Sequence, residues 1–235
     1  MAKWVHPGIR AVFFDAVGTL LFPVPSAVLI YSGVALRLGV HMPHDEIRDR
    51  FLAAYRAEEQ IDRKTNWVTS EEREVARWRR IVANTLVDVP DTAACFRELF
   101  EHFARPAAWT VNPDAAAVFA ALQDRGITLG LASNYDARLW SVIDGHPELT
   151  PLCDRVVISA AIGFRKPAPE FFREVVRVAG CEPGEILFVG DDIENDYEGA
   201  LATGLNAVLL EARPNPIAPS PQVPRWIGSL TELIS

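Results

Sequence analysis

Five short apolar runs, each ending in a small, polar or acidic residue, set the frame of the chain. Ile9 to Phe14 leads to Asp15, Ile127 to Ala132 leads to Ser133, and Arg155 to Ile158 leads to Ser159. Ile186 to Val189 leads to Gly190 and Asp191, and Asn206 to Leu210 leads to Glu211. The runs are rich in Val, Ile, Leu and Phe and do not alternate with polar residues. That is the pattern of strands buried on both faces. Helical periodicity fills the intervals between them. Asn112 caps a helix, Pro113 fits its first turn and Gly126 ends it. Further helices are predicted from Pro167 to Ala179 and from Asn195 to Thr203. Strand–helix–strand repetition implies an α/β fold with a parallel sheet.

One stretch breaks the rhythm. Between Asp15 and the second run, the patterns are helical only. Ile47, Phe51, Leu52 and Tyr55 form one apolar stripe. Val75, Trp78, Val82 and Leu86 form a second, opened by a capping box of Thr69 and Glu72. Phe96, Leu99, Phe100 and Phe103 form a third, with Asp91 as its cap. Residues 24–106 therefore read as an all-helical insert, and 1–23 with 107–235 as the α/β core around it. The aromatic stripes are expected to form the insert's own core. A Pro-rich surface loop is expected over 212–224, followed by a short strand and helix from Trp226 to Leu233.

Composition narrows the function classes. The 235 residues carry a net charge of −8, which argues against general nucleic-acid binding. No apolar stretch is long enough to span a membrane, and the N-terminus lacks a signal-peptide run. Cys95, Cys153 and Cys181 are odd in number and widely spaced. They read as reduced thiols of a cytoplasmic protein. Only Lys3, Lys64 and Lys166 are lysines, so few residues can supply an amine.

The chemistry sits at the ends of the strands. Ligands of open parallel sheets bind beyond the carboxyl ends of their strands. Those ends here carry Asp15, then Ser133 and Asn134, then Asp191 and Asp192, while Lys166 opens a helix. Two acidic tips, a hydroxyl and a lysine should therefore converge on one crevice.

The segments FFDAVGTL, LASN, RKPAPE and VGDDIENDYEGA, in this order, resemble the four motifs of the haloacid dehalogenase-like (HAD) hydrolase superfamily. DAVGTLL, SNYDARL and NDYEGA resemble more narrowly the subgroup named after a rhythmically expressed fly gene. The resemblance implies a Rossmann-like three-layer core with a helical cap inserted after the first motif. It implies that Asp15 is the nucleophile and that Mg²⁺ is held by Asp15, Asp191 and the carbonyl of Val17. Ser133, Asn134, Gly18 and Thr19 would contact the phosphoryl group, and Lys166 would neutralise its charge. Asp196 would orient Lys166 or a water on the metal; Asp192 would assist the metal or face solvent.

These roles agree with elementary chemistry. A carboxylate can attack phosphorus and form an aspartyl phosphate. Magnesium takes hard oxygen ligands, typically one or two carboxylates with substrate phosphate.

One departure bears on activity. Phosphatases of this superfamily carry a second Asp two residues after the nucleophile, and here that position is Val17. Valine moves no proton, and acid–base help is worth about 10²–10⁴ in rate. The expected function is a Mg²⁺-dependent phosphatase of a small phosphorylated metabolite, slow on alkyl phosphates. A 2-haloacid dehalogenase, a phosphonate hydrolase using Lys64 as a Schiff base, and a catalytically faded phosphometabolite-binding protein are the alternatives. A monomer or homodimer without nucleic-acid or membrane partners is expected.

Overall fold

The computed structural model describes residues 4–210 and 225–235. The Pro-rich segment 212–224 and Lys3 lie outside the described residues. Strand β1 (Ala11–Phe14) is followed by a short β2 (Leu21–Pro23) and helices α1 (Ala27–Arg37), α2 (His44–Lys64), α3 (Glu71–Thr85) and α4 (Thr92–His102). The chain returns through β3 (Trp109–Val111), α5 (Ala115–Gln123) and β4 (Thr128–Ser133). Then come α6 (Arg138–Asp144), β5 (Val156–Ile158), α7 (Ser159–Ile162) and α8 (Pro169–Ala179). Last are β6 (Ile186–Gly190), α9 (Gly199–Ala202), β7 (Asn206–Leu210) and β8 (Trp226–Ile227).

The six-stranded sheet has the order β5-β4-β1-β6-β7-β8, with every pair parallel. This is the expected α/β fold with a helical insertion after the first strands. Alternation along buried strands feeds two cores. Val12, Phe14, Leu187 and Val189 pack on one face with Val118 and Phe119 of α5. Ala11, Phe13, Ile186 and Phe188 pack on the other with Phe171, Phe172 and Val175 of α8. Gly130 in β4 is there for room: a Cβ would stand 2.3 Å from the ring of Phe13.

The insertion has its own core, in which Ile30 and Val34 of α1 meet Ile47, Val82, Leu86 and Phe96. Leu52 is not part of it; it is exposed, because it sits at the edge of the α2 stripe. Ser70, not Thr69, caps α3, and its side chain accepts from Arg73 N. Thr69 is instead buried and donates to Glu74. Asp91 caps α4 as expected. Asn112 and Pro113 form a turn before α5, which starts two residues later than the pattern implies; Asn112 Oδ1 accepts from Asp114 N. The segment from Asp15 to β4 is not purely helical either. Antiparallel β2 and β3 form a two-stranded ribbon at the root of the insertion. Three-residue strands carry too little alternation to declare themselves.

Candidate active site

The sheet order explains where the chemistry gathers. β1 lies between β4 and β6, so Asp15, Ser133 and Asp191 emerge from three adjacent strand ends. Lys166 enters from the loop before α8, through a cis Lys166–Pro167 peptide. Its ammonium is 2.6 Å from Asp15 Oδ1, 2.6 Å from Asp196 Oδ1 and 3.3 Å from the Ala132 carbonyl. All three of its donors are thereby used. Burial alone would pull the Lys166 pKa down, but the fields of Asp15 and Asp196 outweigh it and hold the lysine charged. Asn134 fixes the lysine's backbone from both sides: its Oδ1 accepts from Lys166 N at 2.7 Å, and its Nδ2 donates to Lys166 O at 3.1 Å.

Ser133 Oγ donates to Asp15 Oδ1 at 3.2 Å. Lys166 and Ser133 therefore share one oxygen of Asp15, which leaves Oδ2 as the oxygen available to attack or bind. Oxygens of Asp15, Asp191 and Asp196 lie within 4.8 Å of one another. Asp191 faces the open crevice, yet partial desolvation and the charges of Asp15 and Asp196 push its pKa up to about 8. Buried Asp196 is pushed up less, to about 6, because Lys166 opposes its desolvation. Three carboxylates with one ammonium make an anionic site, and a divalent cation is the ligand that relieves it. This acid cluster is consistent with the Mg²⁺ site of HAD hydrolases.

The other expected site residues take different places. Asp192 caps the π-helical turn Ile193–Glu198, accepting from Asn195 N at 2.7 Å. Asp196 Oδ2 accepts from Asp192 N at 3.0 Å. Gly18 has φ +94° and lies beneath Asp191. Thr19 is fully buried, with its carbonyl accepting from Asn112 Nδ2. Val17 does face the crevice and is 38% exposed. Lys64 is exposed at the end of α2 and does not line it.

The crevice has a volume of about 320 Å³. Its floor is the Asp15, Ser133, Lys166 and Asp191 group, and its walls are largely aromatic. Phe51 and Trp78 therefore do more than pack against the insertion's core; with Tyr55 they also line this space. Sequence reasoning missed Tyr31, Trp109, Tyr135 and Arg138 on the same walls. The last two were within reach, because they follow directly on the Ser133–Asn134 strand tip.

An ion network ties the insertion to the lysine loop. Buried Asp62 of α2 binds Arg73 at 2.5 Å and Arg77 at 2.6 Å, and stands 3.6 Å from Arg165. Arg165 also pairs with Glu74 of α3. Backbone bonds run alongside, from Arg165 N to Trp67 O and from Thr69 N to Gly163 O. Arg165 directly precedes Lys166, so the insertion helps to hold the Lys166 loop.

Comparison with known proteins agrees with this geometry. The family model for haloacid dehalogenase-like hydrolases matches residues 9–204. Haloacid dehalogenase-like hydrolase domain-containing protein 3 of Mus musculus is 32% identical over 186 residues, covering 77% of this chain and 73% of the relative. The Bos taurus counterpart is 33% identical over 151 residues, 63% of this chain, and the match spans 59% of that protein's length. Ribulose-1,5-bisphosphate 5-phosphatase of Halopiger xanaduensis is 27% identical, covering 86% of this chain and 84% of the relative. Among solved structures, L-2-haloacid dehalogenase from Xanthobacter autotrophicus shares the fold with a TM-score of 0.73 at 21% identity, covering 96% and 97% of the two chains. With the four motifs in order on this fold, and the match running from the first strand past the last acidic motif, the chain belongs to the haloacid dehalogenase-like hydrolase family.

Proposed function

We propose that this protein is a Mg²⁺-dependent phosphatase of a small phosphorylated metabolite, with Asp15 as the nucleophile. The observation that carries the reading is the cluster of Asp15, Asp191 and Asp196 against a single ammonium, Lys166. A site this anionic repels a phosphate ester unless a cation is present. Asp15, Asp191 and the Val17 carbonyl would hold magnesium, which offsets charge between the anionic nucleophile and the anionic substrate. Asp196 is committed to Lys166 and to Asp192 N, and serves to position the lysine.

Asp15 Oδ2 attacks phosphorus while Oδ1 stays bonded to Lys166 and Ser133. The ester oxygen leaves with the bonding electrons, and an aspartyl phosphate remains. Water then attacks phosphorus, phosphate departs and the Asp15 carboxylate is restored. Lys166 stabilises the charge on the transferring group throughout. No side chain at position 17 can protonate the leaving group, so leaving groups that depart as stable anions are favoured.

The motifs DAVGTLL, SNYDARL and NDYEGA support placement in the rhythmically-expressed-gene-like subgroup, with a core of 1–23 and 107–235 and a cap of 24–106. Dehalogenation is the second reading, supported by Val17 and the apolar walls, since halide leaves without a proton. The acid cluster weighs against it, because that reaction requires no metal. The exposed Lys64 lends no support to a Schiff-base reaction in the crevice. A panel of phosphate esters, acyl phosphates and 2-haloacids, each with Mg²⁺ and with EDTA, separates the readings. Phosphate release that EDTA abolishes is expected. Halide release indifferent to EDTA would replace this reading with the dehalogenase one.

A further inference from the structure

The space beyond the phosphoryl position has a chemical character of its own. Tyr31 comes from α1, Phe51 and Tyr55 from α2, Trp78 from α3, Trp109 from β3 and Tyr135 from the loop after β4. Two groups of them are in ring contact. Tyr31 and Phe51 meet edge to face at 5.5 Å, Phe51 and Tyr55 stack at 6.1 Å, and Trp109 meets Tyr135 at 6.3 Å. Five elements distant in sequence thus place six aromatic rings around one volume.

The walls offer little to a second negative charge. Among the described residues Arg138 is the cation that lines them besides Lys166, and Asp136 binds it through Nε at 2.8 Å and Nη2 at 2.7 Å. Its guanidinium also lies 3.6 Å from the centre of the Phe100 ring. A second phosphate or a carboxylate on the substrate would meet an arginine already neutralised. A polyol would lose water against walls that are mostly ring faces and replace few of its hydrogen bonds.

Size and leaving-group chemistry point the same way. An apolar cavity of about 150 Å³ takes up a benzene ring, so about 320 Å³ accommodates a phosphoryl group and an aromatic ring system. Val17 marks the missing acid. A phenol resembles the tyrosine hydroxyl, with a pKa near 10, and departs as its anion far more readily than an alkanol. Walls and missing acid are independent observations that select the same leaving group.

We propose that the crevice takes an aryl phosphate, the phosphate monoester of a flat phenolic compound with no further negative charge. This rests on the phosphatase reading above. The Asp15 Oδ2–P bond forms as the P–O(aryl) bond breaks. The phenolate leaves with the electron pair and takes its proton from solvent, and water cleaves the aspartyl phosphate.

The test compares phenyl phosphate, 2-naphthyl phosphate, glycerol 3-phosphate and acetyl phosphate at saturating Mg²⁺. Acetyl phosphate has a good leaving group but no ring. Both aryl esters should exceed it at least about ten-fold in kcat/KM, chiefly through lower KM, and should exceed glycerol 3-phosphate by more. Trp78→Ala should raise KM for 2-naphthyl phosphate about ten-fold more than KM for acetyl phosphate, in line with loss of one aromatic contact. Trp78→Phe, which keeps a ring, should restore most of that difference. Acetyl phosphate or glycerol 3-phosphate matching the aryl esters would overturn the proposal and leave the phosphatase reading intact. No phosphate release from any of the four would sink both.

Discussion

Gly18 lies directly beneath Asp191: a Cβ at position 18 would stand 2.2 Å from Asp191 Oδ2. The glycine also holds φ at +94°, where other residues are strained. It is therefore the spacer that lets the acid of the β6 tip approach the β1 tip. Gly18→Ala should displace the Asp191 carboxylate and weaken magnesium, raising the half-saturating Mg²⁺ concentration about ten-fold or more. A Mg²⁺ titration of activity checks this. An unchanged midpoint would mean that Asp191 does not depend on this contact.

Val17 faces the crevice from the position where an acid is missing. Val17→Asp should raise alkyl-phosphate hydrolysis by about ten- to a thousand-fold, within the range of acid–base help. Aryl esters should gain least, because their leaving groups need little protonation. Equal gains on both classes, or none, would show that proton transfer is not what limits the enzyme.

The raised pKa of Asp191, with a smaller share from Asp196, makes stability depend on pH in the metal-free protein. A carboxyl group whose pKa is higher folded than unfolded favours the folded state only while protonated. The contribution is complete below about pH 4 and is lost as pH rises towards about 8. Without metal, Tm should therefore fall by a few degrees between pH 5.5 and 8, since about 1 kcal/mol moves Tm by about 2–4 °C at this size. Saturating Mg²⁺ should flatten the slope, and Asp191→Asn should flatten it without metal. Thermal scans of the three samples decide it; a slope that survives Asp191→Asn belongs to other groups.

Asp62 is fully buried and binds two arginines, one of them Arg77 at 1% exposure. Two nitrogens of Arg77, Nε and Nη2, already lack hydrogen-bond partners among the described residues. Asp62→Ala leaves its charge uncompensated and should cost about 3–5 kcal/mol. Urea unfolding measures it. A loss below about 1 kcal/mol would show that Glu74 and Glu58 take over the pairing.

The strands and the residues at their tips were readable because parallel strands buried on both faces leave unbroken apolar runs. β7 spans Asn206–Leu210, as its run implies, and Asp15, Ser133 and Asp191 all stand at the ends of theirs. What the pattern hid depends on docking between distant elements. Arg165 meets Asp62 across a separation of about a hundred residues, and neither carries a local signal for the other. The α2 and α3 stripes show which residues turn inward, but not that Tyr55 and Trp78 lie where the insertion meets the sheet. Thr69 and Ser70 are adjacent hydroxyls, and only the backbone path shows which one caps.

The central claim is that Asp15 attacks phosphorus. Acid quenching of a single Mg²⁺-supported turnover of phenyl phosphate, followed by peptide mass spectrometry, tests it most directly. A phosphoryl group on Asp15, absent with EDTA and absent in folded Asp15→Asn, is the predicted result. Full phosphate release by folded Asp15→Asn, or a phosphoryl group carried on another residue, would contradict it.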